Sequence, residues 1–195
     1  MPKRLSLIIP TIGRSTLHRA VESAFSQMAL GDEVIVVSDG VDISEERLPW
    51  LSGVCYLRLP TPTGDFGCTP CDEGIKIARG DAVFFLGDDD ICAPGAFDAI
   101  RAAVEAAPDV PHLFSMTHTG RQLGGTLDCC AVSGQQIVVP RDLTKMPRMA
   151  EHTPGERAVS DWVFIIKVHL AWNQQTVFHP EIISILPHMN QGRME

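Results

Sequence analysis

A chain of 195 residues, 45% of them hydrophobic, is long enough to bury the core of one domain. Its 24 acidic against 16 basic side chains leave a formal charge of -8, which excludes a general attraction to nucleic acid or anionic lipid but not a local basic patch such as residues 141–157, with Arg141, Lys145, Arg148 and Arg157. The first apolar run, "LSLIIP", is only strand length and ends in Pro10, so neither a signal peptide nor a membrane span is read and a soluble cytoplasmic protein is expected.

The elements follow in chain order. "RLSLIIP" (4–10) is a near-continuous run of branched apolar residues, the pattern of a buried strand. Over 15–28 the period changes, with Leu17, Ala20, Val21, Ala24, Phe25 and Met28 at helical spacing and Ser15 as the expected cap. "DEVIVVSDG" (32–40) and "GVCYLRL" (53–59) are further strands, the first ending in a turn at Asp39 and Gly40. Strand, helix, strand in this order predicts a right-handed crossover and a parallel sheet. The loop "PTPTGDFG" (60–67) leads into a short helix, "CDEGIKIA" (71–78), closed by Gly80. "AVFFL" (82–86) is a buried strand, and 93–108 a helix with Pro94 near its start and Phe97, Ile100 and Val104 on one face. Beyond it the pattern predicts strands near 112–118, 126–132, 136–139 and 182–186, a polar loop over 141–158 and a helix over 160–172.

Loops at the carboxyl ends of parallel strands line the ligand crevice of an open α/β sheet. Three such ends are polar here: "PTIGR" (10–14), "SDG" (38–40) and "GDDD" (87–90). Asp88, Asp89 and Asp90 repel one another unless something positive joins them. Carboxylates this close are hard oxygen ligands suited to Mg²⁺ or Mn²⁺. The plainer alternative is an acidic turn that caps the following helix. The six cysteines include a CxxC (Cys68, Cys71) and an adjacent pair (Cys129, Cys130), beside Cys55 and Cys92. A second CxxC or an HxxxH at zinc spacing is missing, so they read as free thiols in a reducing compartment.

Three segments carry a resemblance: "LSLIIPTIGRSTLHRAVESAFSQ", "DEVIVVSDG" and "GIKIARGDAVFFLGDDDICAPGAF". In that order and spacing they resemble family 2 of the glycosyltransferases over residues 4 to about 104. The resemblance implies an α/β, GT-A fold with a mainly parallel central sheet and helices on both faces. It implies one domain over 1–195, with a nucleotide-sugar half (1–104) and an acceptor half (105–195). Pro10, Thr11 and Arg14 would then line the nucleotide site, Asp39 would accept a hydrogen bond from the base, and the aspartate triplet would bind ribose and metal. The family's DxD motif fits in two registers, Asp88 with Asp90 literally, or Asp88 with Asp89 counting back from Pro94; Gly87 stands where the family usually has an aspartate. Asp88 is read on the nucleotide sugar, and Asp89 as the main metal ligand with Asp90 beside it. Asp65 in "GDFG" falls where the family approaches the ribose, and is otherwise a turn residue. The resemblance also implies an acidic catalytic base at the start of a late helix. Asp161 in "ERAVSDWVFIIK" takes that role, with Glu156 as a competitor and helix capping as the plain alternative. His179 is preferred to His169 or His188 as a late histidine in the metal shell, and Trp162 is a packing residue that could stack on an acceptor.

The expected activity is a metal-dependent, inverting transfer of a sugar, a hexose by default, from a UDP-linked donor to an acceptor hydroxyl. With no hydrophobic anchor in view, a soluble acceptor is more natural than a lipid-linked one; a hydroxymethylated base in DNA is an alternative, with the 141–157 loop on phosphate. A nucleotidyltransferase would need a glycine-rich basic loop where "PTIGRST" stands, and a dinucleotide-binding dehydrogenase a G-x-G-x-x-G that is absent there. "GRQLGG" (120–125) comes too late for it. A catalytically silent sugar-nucleotide binding module stays open.

Overall fold

The computed structural model describes residues 2–43, 53–129, 131–152, 156 and 159–187; Cys130, Arg157 and His188 lie outside the described residues. In chain order the elements are β1 (Leu5–Thr11), α1 (Leu17–Phe25), β2 (Glu33–Ser38), β3 (Cys55–Arg58), α2 (Cys68–Ile77), β4 (Ala82–Phe85), β5 (Ile91–Cys92), α3 (Ala96–Ala106), β6 (His112–His118), β7 (Arg121–Leu123), a 3₁₀ turn (Gly134–Gln136), β8 (Ile137–Pro140), α4 (Ser160–Ala171) and β9 (Val177–Leu186). They build one sheet in the order β3-β2-β1-β4-β8-β6-β9-β5, with β7 paired to β6.

The parallel order expected from the crossovers holds for β3, β2, β1 and β4. β8 runs antiparallel to both β4 and β6, whereas β9 is parallel to β6 and antiparallel to β5. Successive side chains leave a strand on opposite faces. Leu7, Ile9, Val34, Val36 and Phe84 accordingly pack with α1 and α3 in one cluster, and Ile8, Ile35, Val37, Val83 and Phe85 with α2 and α4 in the other. Both faces are covered, which is why these strands are written as unbroken apolar runs. Each face closes with an edge-to-face aromatic pair, Phe84 on Phe97 at 5.2 Å and Phe85 on Phe164 at 5.8 Å, a geometry worth about 0.5–1.5 kcal/mol beyond area burial.

Several boundaries differ from the sequence pattern for local reasons. Helix α1 starts at Leu17 with Thr16 as its cap residue and no capping side chain, so Ser15 does not cap it; the Gly13 N–H is already committed to Thr11 Oγ1 in the cleft turn. Helix α2 starts at Cys68, ahead of the expected Cys71. It ends at Ile77, and Gly80 is not its left-handed cap: a Cβ there would lie 2.7 Å from the Ser6 backbone nitrogen, so Gly80 allows close approach to β1. No strand forms over the described residues of 126–132, where the Leu127 carbonyl instead accepts the Trp162 indole N–H at 2.7 Å and ties this stretch to α4. The last strand starts at Val177, earlier than 182. Because β1, β2 and β4 run the same way, their carboxyl ends bring "PTIGR", "SDG" and "GDDD" to one edge of the sheet.

Candidate active site

A cleft of about 480 Å³ opens at that edge. One rim carries Pro10, Thr11, Arg14, Asp39, Asp88 and Asp89, and the other Gly134, Gln135, Met149 and Asp161. Asp65, Asp90, Glu156 and His179 do not line it.

The positive group that the aspartate triplet requires is partly supplied by the chain itself. Asp88 is 2% exposed and both of its oxygens are taken. Oδ1 accepts from Arg14 Nη1, and Oδ2 accepts from Thr11 Oγ1 at 2.6 Å and from the Ile12 N–H at 3.4 Å. Arg14 also lies 3.7 Å from Asp89. Burial works against the Arg14 charge, but Asp88 and then Asp89 and Asp90 outweigh it and hold the guanidinium above its ordinary pKa. Asp90 is also 2% exposed. Its Oδ2 accepts from Gln135 Nε2 at 2.8 Å, while Oδ1 is buried without a hydrogen-bond partner. Burial, followed by the charge of Asp89, pushes its carboxyl up to about 7. Asp88 and Asp89 both line the cleft, and Asp89 is the most exposed of the three, its side chain one-third exposed.

Asp39, at the end of β2, is 4% exposed and organises the neighbouring loop. Oδ1 accepts from the Thr63 N–H at 2.7 Å and Thr63 Oγ1 at 2.9 Å, and Oδ2 from the Gly64 N–H at 3.0 Å. Asp65 turns away from the cleft: Oδ2 accepts from the Thr69 N–H at 2.9 Å and Thr69 Oγ1 at 2.6 Å, which caps the first turn of α2. Phe66 follows at φ 61°, 77% exposed on the cleft lip.

On the opposite rim Asp161 sits in the first turn of α4, where the helix dipole favours a negative charge. Its Oδ2 accepts from the Gly134 N–H at 3.0 Å and lies 3.0 Å from Ser133 Oγ. Sequence reading passed over Ser133, Gly134 and Gln135, which the pairing of β8 between β4 and β6 brings here; their only local signal is a capping box around the 3₁₀ turn. Met149 reaches the cleft because the buried carboxylate of Asp72, in α2, accepts the Met149 and Ala150 N–H groups at 2.7 and 3.1 Å. Cys68 and Cys71 pack beneath this rim; burial pushes the Cys68 thiol up to about 11 and Cys71 well above its usual range, so both are neutral thiols.

His179 lies on β9, stacked on Phe114 at 4.4 Å and hydrogen-bonded to His112 at 3.0 Å. Among the described residues no three His, Cys, Asp or Glu side chains form a set able to hold a metal ion by themselves. The residues do fit a divalent ion shared with substrate phosphates, which needs only one or two carboxylates. A Cβ on Gly87 would lie 3.0 Å from Asp89 Oδ1 and 2.7 Å from Asp90 Oδ2, so the two carboxylates converge over a position that only glycine leaves free. Asp89 would hold such an ion, with the buried carboxyl group of Asp90 beside it.

A family model described as Glycosyl transferase family 2 matches residues 6–120. No curated protein sequence matches. Among solved structures, residues 1–349 of S. aureus TarS align with a TM-score of 0.72 at 17% identity, covering 94% of this chain and 60% of that one. The same fragment in complex with UDP-GlcNAc gives 0.72 at 17%, over 94% and 58%, and in complex with UDP 0.71 at 16%, over 94% and 60%. The present chain thus spans about 60% of the length of these neighbours.

Proposed function

The chain belongs to glycosyltransferase family 2 and has the GT-A fold, and on that premise we propose that it moves a hexose from a UDP-linked donor to an acceptor hydroxyl with inversion, using Mn²⁺ or Mg²⁺ at Asp89. The observation that carries this reading is that one cleft is lined both by the strand-end residues Arg14 and Asp89 and by the carboxylate of Asp161. In a single displacement the acceptor oxygen bonds to the anomeric carbon as the bond to the diphosphate oxygen breaks, and the hydroxyl proton goes to Asp161. With Asp161 Oδ2 engaged by the 3₁₀ turn, Oδ1 is the oxygen that receives it. A divalent ion, when bound, supplies Lewis-acid stabilisation of the departing diphosphate. Arg14 adds a fixed positive charge at the same end of the cleft.

The UDP preference rests on Asp39, whose Oδ2 accepts one protein donor and keeps capacity for the N–H of a uracil; the complexes of S. aureus TarS with UDP-GlcNAc and UDP are consistent with it. The acceptor is read as a soluble hydroxyl compound. Lys145 lies 3.6 Å from Asp142 and over the Trp172 ring, and Arg148 sits 3.6 Å from Asp72, so the 141–157 stretch gives a modified-DNA acceptor little support. Among the described residues no helix is long and apolar enough to cross a membrane. The described cysteines are free, which supports a cytoplasmic setting.

The test is a titration with UDP and with GDP, followed by Tm, with and without Mn²⁺. A ligand that binds only the folded state raises Tm, by about 2.7 kcal/mol of stability at a hundredfold excess over Kd. The expected result is a UDP shift that requires Mn²⁺ and is abolished by Asp89→Ala. No shift with any nucleotide would overturn the reading, and UDP binding with no release of UDP from a sugar donor would leave a silent binding module in its place.

A further inference from the structure

The two rims of the cleft are joined by a line of side chains that runs through the 3₁₀ turn. Gln135 Nε2 donates to Asp90 Oδ2 at 2.8 Å. The amide's other atom, Oε1, is in close contact with Ser133 Oγ, and Ser133 Oγ lies 3.0 Å from Asp161 Oδ2. The Ser133 hydroxyl has one proton and two acceptors, so Gln135 and Asp161 compete for it. The Gly134 N–H holds Asp161 Oδ2 in either case.

The turn itself is rigidly placed. Gln136 is fully buried and donates to the carbonyls of Phe114 and Leu123 at 3.0 and 3.1 Å, while its Oε1 accepts the Ser133 N–H at 2.7 Å. The amide of Gln135 is therefore held at both ends, its Nε2 by the Asp90 carboxyl group and its Oε1 by the Ser133 hydroxyl.

We propose that Gln135 and Ser133 are positioning residues that tie the base Asp161 to the metal-side aspartates through the chain Asp90, Gln135, Ser133, Asp161. This rests on the glycosyltransferase reading above and adds to it a coupling between the two ends of the reaction. Gln135 fixes the Asp90 end and, by drawing on the Ser133 proton, sets how firmly the Ser133 hydroxyl restrains Oδ2 of Asp161 and with it the aim of Oδ1 at the acceptor. Groups that act as one hydrogen-bonded unit show non-additive losses when removed together.

The experiment measures UDP release from UDP-GlcNAc and UDP-glucose, with water as acceptor and Mn²⁺ present, for the full chain and for Ser133→Ala, Ser133→Thr, Gln135→Ala and the Ser133→Ala/Gln135→Ala double variant. Misplacement of a catalytic group by about 1 Å is worth up to about a hundredfold in rate. The expected result is a roughly 10- to 100-fold fall in kcat for each alanine variant with donor KM within about threefold, recovery in Ser133→Thr, and a double variant no slower than the worse single one. The UDP and Mn²⁺ shift in Tm stays intact in Ser133→Ala, which separates positioning from loss of the site. Wild-type kcat in both single variants, or losses that multiply in the double variant, would overturn the coupling while leaving the glycosyltransferase reading in place. A wild-type chain that releases no UDP from either donor overturns the role of Asp161 as a base and the coupling with it.

Discussion

The two rims of the cleft hold carboxylates by opposite means. On the amino-terminal side, Asp88 in the rim and Asp90 outside the cleft lining are each 2% exposed, one matched to a guanidinium and the other left with an orphaned oxygen. On the carboxyl-terminal rim Asp161 stands partly open at a helix start, held on one oxygen by a backbone N–H and faced by a hydroxyl. The first arrangement concentrates acidic groups where the proposed cation would be received. The second leaves one carboxylate oxygen able to take a proton. On the proposed reading, acid side chains of one kind take two roles from their surroundings, one by burial and pairing, the other by restraint with partial exposure.

The sharpest division between the rims comes from Asp161→Asn. It keeps the shape and the acceptor oxygen but cannot take a proton, so kcat falls about 10²–10⁴-fold, or about 3–5 kcal/mol in activation free energy, while the Mn²⁺-dependent UDP shift in Tm is unchanged. Steady-state kinetics and thermal melts on the same preparation check it. A lost UDP shift with retained turnover would invert the assignment of the rims.

The amino-terminal rim has its own signature in pH. The Asp90 carboxyl is raised from 3.8 to about 7 in the folded chain, chiefly by burial. A raised acid contributes stability in its neutral form, which is fully present below about pH 4 and is lost as pH rises through about 7. For the metal-free protein this loss is on the order of 4 kcal/mol. Asp90→Asn, which stays neutral, should abolish it and be more stable than wild type above pH 7. Urea melts from pH 4 to 8 with chelator present measure the slope. Mn²⁺ should flatten the wild-type curve by favouring the charged form; an equal slope with and without Mn²⁺ would mean that the triplet does not receive the ion.

The amino-terminal rim was legible because its chemistry is written at strand ends. Thr11, Arg14, Asp39 and Asp88 each follow an apolar run within a few residues, and parallel crossovers carry such ends to one edge. Asp161 was legible only through family resemblance and its place before an apolar helix. Ser133, Gly134 and Gln135 gave almost no signal, since their position depends on β8 pairing antiparallel between β4 and β6, partners distant in sequence. The misplaced strand over 126–132 has the same origin: its local pattern is apolar enough, but the Trp162 indole draws Leu127 out of any ladder. His179 looked available for a metal because sequence does not reveal Phe114 and His112 beside it.

The smallest effect concerns Asp65, and it tests how far resemblance alone assigns a site. Asp39 and Asp65 flank the same loop, and the hydroxyl of Thr63 lies within hydrogen-bond distance of both, 2.9 Å from the first and 3.0 Å from the second. Only Asp39 lines the cleft. Asp65 spends its other oxygen on Thr69 at the start of α2, a capping bond whose loss to alanine costs about 1 kcal/mol. Asp65→Ala should therefore lower Tm by roughly 2–4 °C for a chain of this size and leave the increment produced by UDP and Mn²⁺ unchanged. Asp65→Asn, which keeps an oxygen for the cap, should recover most of the loss. Were Asp65→Ala to abolish the nucleotide increment at an unchanged Tm, the side chain would have to leave Thr69 when the donor binds, and the amino-terminal rim would extend one loop further than the geometry places it.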